Sequence, residues 1–166
     1  FFCHGVGYCE GARSQTHIDF LTELKSYGLP PTPNVRLFRS ADEVVAAIDV
    51  LQAALHELDF TQEGFQWIDC HDADQSIISF LRRGRSGSFV IVALNFTPVP
   101  RENYRIGVPQ AGVYRELLNS DSVFYAGSNV NNGEGVATDD QPWMDQPYSM
   151  LIKLPPLAGV ILSNPK

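Results

Sequence analysis

The sequence predicts a mainly β protein, an antiparallel β-sandwich preceded by a small α/β fragment. After about Phe60, seven runs rich in β-branched and aromatic residues follow one another, separated by clusters of Asp, Gly and Ser. No helical periodicity interrupts these runs, whereas strand and helix signals alternate in the first 53 residues. Short strands at this spacing, without intervening helices, are typical of an antiparallel sandwich.

The N-terminal fragment is predicted to contain two strands, at residues 1–6 and 35–38, each followed by a helix. Thr16 can cap the first helix, which Gly28 would end. Ser40 and Glu43 form a capping box that opens the second helix. Its apolar face is predicted to consist of Val44, Ile48, Leu51 and Leu55.

The seven predicted strands cover residues 65–68, 77–82, 89–96, 104–108, 113–118, 148–154 and 157–162. The run at 89–96 is almost entirely apolar, so it is predicted to be a central strand covered on both faces. Strict alternation at 148–154 indicates a strand nearer an edge. Residues 119–146 form a long polar excursion, and a loop of that length is usually functional or packed against a neighbour.

Composition and charge narrow the possible partners. The 166 residues carry a formal net charge of −7, which argues against a nucleic-acid partner because phosphate binding needs clustered Lys and Arg. No apolar run approaches the length that crosses a bilayer, so no membrane partner is predicted. The start at Phe1 has no signal-peptide pattern and no initiator Met. We therefore expect a cytoplasmic chain that was cut, or that begins inside something larger.

Several segments of the second part follow a recognisable order: ALHELDF at 54–60, GFQWI at 64–68, NFTPVPR at 95–101, YRIG at 104–107, RELLNSD at 115–121 and LPPLA at 154–158. In these segments residues 54–166 resemble the C-terminal domain of bacterial 1,4-α-glucan (glycogen) branching enzymes, members of the α-amylase clan. The resemblance implies an antiparallel Greek-key β-sandwich. It also implies a partner, the catalytic barrel that forms the α-1,6 branches of glycogen.

A second set of segments lies in the N-terminal fragment: FFCHGVG at 1–7, GLP at 28–30 and SADEV at 40–44. Through them residues 1–53 resemble the adenylation domain of bacterial NAD-dependent DNA ligases, with the join between 51 and 60. The resemblance implies that His4 is the remnant of a nucleotide contact, at a position where the family usually has an adenine-stacking Tyr. The family's nucleophilic Lys, in a Lys-x-Asp-Gly motif, is absent. Two unrelated families in one chain indicate an engineered chimera or a recombined reading frame.

No catalytic residue, cofactor or metal site is predicted. Retaining glycosyl transfer needs two carboxyl groups about 5–5.5 Å apart, and the resemblance implies that both lie on the barrel. The Asp residues of this chain fall in turn-rich stretches, where Asp commonly bonds its own backbone. Cys3, His4, Cys9 and His17 lack the spacing of zinc ligands. The chain as it stands is therefore expected not to be an enzyme.

Aromatic side chains are the remaining functional feature. Tyr125 and Trp143 lie in the polar excursion and are the candidates for stacking on an α-glucan, whereas Trp67 lies in an apolar run and is predicted to be core. Three readings stay open: an accessory domain that packs against a branching barrel, a weak α-glucan-binding module, or an inactive ligase remnant. Exposure of Tyr125 and Trp143 on one face would favour the second.

Overall fold

The computed structural model describes residues 41–164, which contain one α-helix and eight β-strands. The elements predicted within residues 1–40, and His4, lie outside this range. The helix is α1 (Ala41–His56), and two 3-10 turns cover Gln62–Gly64 and Val123–Tyr125. The strands are β1 (Phe65–Asp72), β2 (Ile77–Arg83), β3 (Phe89–Asn95), β4 (Arg101–Val108), β5 (Val113–Asn119), β6 (Val136–Ala137), β7 (Tyr148–Leu154) and β8 (Ala158–Ser163).

The strands form two antiparallel sheets packed face to face. The larger sheet has six strands in the order β1-β2-β3-β8-β5-β6, and the smaller consists of β4 and β7. The chain passes repeatedly between the sheets, which gives the non-sequential strand order expected of a Greek-key sandwich. The predicted mainly β, antiparallel fold is confirmed, and each of the seven predicted strands is present. The two-residue strand β6, inside the polar excursion, was not predicted.

Strand β3 is central and covered on both faces, as predicted. Ile91 and Ala93 point into the core between the sheets, while Val90 and Val92 point outward under α1. The core between the sheets also takes alternate residues of β2, β4, β7 and β8, including Leu81, Ile106, Met150, Ile152, Leu154, Val160 and Leu162. Burial of these side chains supplies most of the driving force for the sandwich.

Helix α1 packs on the outer face of the large sheet through Val50, Leu51 and Ala54. The predicted face is wrong in part, because Leu55 is 41% exposed whereas Ala54 is fully buried. The small Ala54 side chain lets the helix approach β3 closely, a packing advantage that a search for large apolar residues overlooks. Helix α1 also continues without a break through residues 51–56, where the join between the two resemblances was predicted to begin.

Polar contacts fix the C-terminal end of α1 to the β2–β3 hairpin. Arg82 donates from Nη2 to the Leu55 carbonyl oxygen at 3.3 Å and to Asp59 Oδ1 at 2.6 Å. The backbone N–H of Arg85 donates to Glu57 Oε2 at 2.7 Å. These contacts hold the C-terminal end of the helix and the residues after it against the hairpin. Within the described residues, the α-helix α1 has 16 residues and does not reach the length and hydropathy of a membrane span. The cytoplasmic location stays a prediction.

Candidate functional site

The polar excursion between β5 and β7 packs back against the sandwich. Hydrogen bonds to Asp121 hold this part of the loop in place. The Asp121 carboxylate accepts hydrogen bonds from Ser128 N at 2.9 Å, Ser128 Oγ at 2.8 Å and Val130 N at 3.0 Å. Asn119 donates from Nδ2 to the Val130 carbonyl oxygen at 2.7 Å. Burial would raise the pKa of Asp121, but the bonds from Ser128, Val130 and Asn129 outweigh it and hold that pKa below its usual range.

A second buried carboxylate, Glu116, connects the two sheets through Asn132. Glu116 is 2% exposed, and its Oε2 accepts from Asn132 N at 3.2 Å and Asn132 Nδ2 at 2.8 Å. The Asn132 amide also pairs with the backbone of Lys153 on β7, donating to its oxygen at 3.0 Å and accepting from its N–H at 2.7 Å. Burial raises the pKa of Glu116, and the bonds from Asn132 and Asn119 lower it only in part.

Neither carboxylate is arranged for catalysis. Displaced pKa values often mark catalytic acids and bases, but Glu116 and Asp121 are both buried and hold loop backbone in place. Within residues 41–164, no three His, Cys, Asp or Glu side chains come together as metal ligands. The set Cys3, His4, Cys9 and His17 lies outside the described residues.

Tyr125, the first of the two predicted sugar-binding residues, lies in the 3-10 turn just beyond β5. Its side chain is 56% exposed. Ser122 caps this turn by accepting from Phe124 N at 3.3 Å, and Ala126 ends it in the left-handed region at φ 60°. The neighbouring Phe124 and Val123 are exposed as well. Tyr125 therefore belongs to an exposed turn with two other exposed apolar side chains.

Trp143, the second predicted residue, opens a tight turn closed by Gln146. The Trp143 and Gln146 backbones exchange two hydrogen bonds, of 3.1 and 2.9 Å. The two central residues, Met144 and Asp145, have φ values of 49° and 58°. Positive φ at both positions defines a type I′ turn, which normally takes Asn or Gly there. The turn lies against Gly107 of β4, where a Cβ atom would collide with the Trp143 carbonyl oxygen.

Trp143 lines an open cleft of about 440 Å³ where the second half of β1 meets the first half of β4. The Trp143 side chain is 43% exposed. The remaining lining residues are mainly polar: Asp69, Asp72, Gln75, Pro100, Arg101, Glu102, Asn103, Tyr104, Arg105 and Met144. These residues could not be assigned to one site from the sequence, because β1, β4 and the turn are far apart along the chain.

The structure does not bring Tyr125 and Trp143 together. Tyr125 follows β5, whereas Trp143 lies at the side of the sandwich formed by β1 and β4. Strands β1 and β5 are four positions apart in the large sheet, which corresponds to roughly 19 Å at the usual strand spacing. Tyr125 is accordingly not among the residues that line the cleft beside Trp143.

Trp67 was predicted to be core, and this is wrong, because its side chain is 50% exposed. Strand β1 is the edge of the large sheet, and Trp67 pairs with Phe80 on the outer face. There the indole packs edge-on against Phe65 and Phe80, with ring centroids 4.8 and 6.0 Å apart. The apolar run around Trp67 gave no sign that its strand would be at an edge.

The arrangement of sheets can be compared with known families. A family model described as the C-terminal all-beta domain of alpha amylase matches residues 67–164. The chain belongs to this family. The match begins inside β1 and ends after β8, so the α-amylase C-terminal domain accounts for the whole sandwich, with α1 as an addition on its N-terminal side.

Individual relatives of this α-amylase C-terminal domain carry the name 1,4-alpha-glucan branching enzyme GlgB. The chain is 60% identical over 109 residues to the protein of Methylobacillus flagellatus and 59% identical over 109 residues to that of Nitrosomonas europaea. It is 54% identical over 109 residues to the protein of Cellvibrio japonicus. Each alignment covers 66% of this chain but about 15% of the relative. The chain thus spans a small part of the curated relatives it matches.

Proposed function

We propose that residues 54–166 are the non-catalytic accessory domain of a 1,4-α-glucan branching enzyme, which packs against a catalytic barrel and shapes it. The observation that carries the proposal is 60% identity to a branching enzyme over a segment that is 15% of that enzyme. The core between the two sheets, which lies wholly within these residues, supports it, because such a domain can be attached to a barrel as a unit. Chemistry at the barrel then depends on the fit between the two domains.

A domain exchange tests this role. In the Nitrosomonas europaea relative, the matching C-terminal segment is replaced by residues 54–166 of this chain. We expect branching activity on amylose within about threefold of the parent, because a correctly packed domain keeps the barrel groups in place. Deletion of the segment should lower activity about a hundredfold, as small displacements of catalytic groups do. New α-1,6 branch points are counted after debranching.

A matched control distinguishes the effect of the fit between domain and barrel from the mere presence of a folded C-terminal domain. An exchange that carries Leu154→Ala, a core truncation, should restore less activity at elevated temperature than the unaltered exchange, because the domain unfolds earlier. The proposal would be contradicted if the exchanged enzyme were as inactive as the deletion variant while circular dichroism showed that the domain is folded.

We also infer that residues 1–53 derive from the adenylation domain of an NAD-dependent DNA ligase and that their fusion to the sandwich is not native to either family. The resemblance of segments 1–7, 28–30 and 40–44 supports this inference. Amplification of genomic DNA across codons 48–62 tests it. A contiguous native reading frame would show that the fusion is natural, and separate loci would support a chimera.

The intact chain is expected to produce neither new branch points in amylose nor a lysine–adenylate from NAD. In the proposed accessory role, the catalytic carboxylates lie on the barrel, which is a different domain. The sequence also contains no Lys-x-Asp-Gly motif. Branch points are measured by debranching and chain-length analysis, and adenylation by an AMP mass shift. Either product above a protein-free blank would refute this prediction.

A further inference from the structure

We propose that the cleft between β1 and β4 beside Trp143 is a binding site for a short α-glucan, and that Tyr125 takes no part in it. The choice of an α-glucan among sugars rests on the proposed function, whereas the location of the site rests on geometry alone. Protein–carbohydrate contacts combine an exposed aromatic ring with fixed polar groups around it. This cleft brings both together in the described part of the chain.

The ring is held in place by a strained turn. Met144 and Asp145 both occupy the left-handed region, at φ 49° and 58°, without the Asn or Gly that such a turn favours. Backbone conformations of this kind cost about 1–3 kcal/mol each and persist where surrounding contacts determine them. Here the contact is with Gly107, whose missing side chain lets the turn lie flat on β4. The result is a fixed backbone at Trp143, which carries a partly exposed indole.

The polar wall opposite Trp143 is also fixed in advance. Asp72 accepts from Tyr104 Oη at 3.0 Å and from Gln75 Nε2 at 3.1 Å, so three lining groups hold one another in position. Burial and the bond to Asp72 raise the pKa of Tyr104, which keeps the phenol neutral. Groups oriented before a ligand arrives reduce the entropy lost on binding.

A guanidinium group completes this wall. Arg105 is oriented by Asp139 at 2.9 Å and by Ser149 Oγ at 2.7 Å. Asp139 and Ser149 are not themselves lining residues of the cleft. The wall therefore presents donors and acceptors in fixed directions.

The charges of the lining favour a neutral ligand. Three carboxylates, those of Asp69, Asp72 and Glu102, face two guanidinium groups, those of Arg101 and Arg105. Such a near-balanced set offers both donors and acceptors, whereas a phosphate site would be basic and a cation site would lack the guanidinium groups. Hydroxyl groups of a sugar can donate to the carboxylates and accept from the guanidinium groups. A volume of about 440 Å³ is in the range of small-ligand sites, roughly 300–1,000 Å³.

Titration of the full chain with maltoheptaose tests the site. Trp67→Phe leaves Trp143 as the single Trp, since the sequence contains two, so the fluorescence change then reports on the cleft. We expect a Kd near 1 mM, about what an open site with few desolvated contacts provides. Trp143→Ala, followed by amide chemical shifts or calorimetry, should weaken binding at least about tenfold, because the stacked apolar area is lost.

Tyr125→Ala is the matched control, because it removes another exposed ring and should leave the Kd unchanged. Gly107→Ala should weaken binding although the indole is intact, since the added Cβ displaces the turn. Cellohexaose, a β-linked glucan, should bind several-fold more weakly than maltoheptaose.

Four results would overturn the proposal: no binding at about tenfold the expected Kd, unchanged binding in Trp143→Ala, loss of binding in Tyr125→Ala, or equal affinity for cellohexaose. The domain exchange measures activity and does not require this cleft. Failure of the site therefore leaves the accessory role intact, and failure of the exchange leaves the titration result intact.

Discussion

Truncation of Leu154 to Ala is expected to lower the free energy of unfolding by about 3–4 kcal/mol, because the side chain is fully buried between the two sheets. The same change at Leu151, on the same strand, should cost less than about 1 kcal/mol, since that side chain is 41% exposed on the opposite face. The two substitutions remove the same atoms. Their difference therefore measures how the two faces of β7 are buried.

Urea unfolding of both variants, followed by intrinsic fluorescence and far-ultraviolet circular dichroism, gives the two free energies. Coincidence of the two signals checks that each transition is a single step. Equal losses at Leu154 and Leu151 would mean that β7 does not have the described register, since a shift by one residue exchanges its two faces.

Replacement of Asn132 by Ala is the second change expected to have a large effect, about 3–4 kcal/mol at neutral pH. It removes the side-chain hydrogen bond from Asn132 Nδ2 to Glu116 Oε2 and leaves the N–H and oxygen of Lys153 without their partner, whereas the backbone N–H of residue 132 still donates to Glu116. Glu116 Oε1 already has no hydrogen-bond partner among the described residues. A buried carboxylate that loses its side-chain donor keeps the cost of its desolvation with less compensation.

This cost should depend on pH in a defined direction. Burial already raises the folded-state pKa of Glu116 above the ordinary value of 4.5, and loss of the Asn132 side-chain bond, which lowers that pKa, raises it further. A group with a raised folded pKa contributes most stability below its unfolded pKa and loses that contribution as the pH rises through the folded pKa. The Asn132→Ala variant should therefore be closer to the parent at about pH 4 than at neutral pH.

Glu116→Gln provides the control for this explanation. In that background no carboxylate titrates at position 116, so the effect of Asn132→Ala should become independent of pH. The double-mutant cycle isolates the contribution of the Glu116–Asn132 pair. A pH dependence that survives in Glu116→Gln would assign the effect to another group.

Local sequence patterns were sufficient to predict where the strands lie in the sequence. They were not sufficient to predict which strands lie next to each other in the sheets. The apolar run at 89–96 predicted a central strand, and the alternation at 148–154 predicted an edge strand; both are confirmed. Trp67 was placed in the core wrongly because its apolar run cannot tell which strand has no neighbour on one side. Ala54 was overlooked because periodicity gives weight to large side chains.

The candidate site was predicted only in part, for the same reason. Sequence composition selected Tyr125 and Trp143 as exposed rings, and both are exposed, but only Trp143 lines the cleft; their contacts with sugar stay a prediction. The polar wall of the cleft depends on strand register, and β1 has irregularities between Trp67 and Asp69 and between Asp69 and Asp72. Such bulges turn individual side chains toward new neighbours. No pattern of residue types announces them.

The position of β8 has a consequence for how the domain reaches its native state. It is the last strand of the sheet along the chain, yet it lies between β3 and β5 and pairs with both. Until it is in place, the β1-β2-β3 unit and the β5-β6 pair have no shared hydrogen bonds, and both present open edges to other chains. During synthesis the nascent polypeptide must therefore wait until β8 has left the ribosome. The waiting form is the one most exposed to aggregation and to chaperone capture.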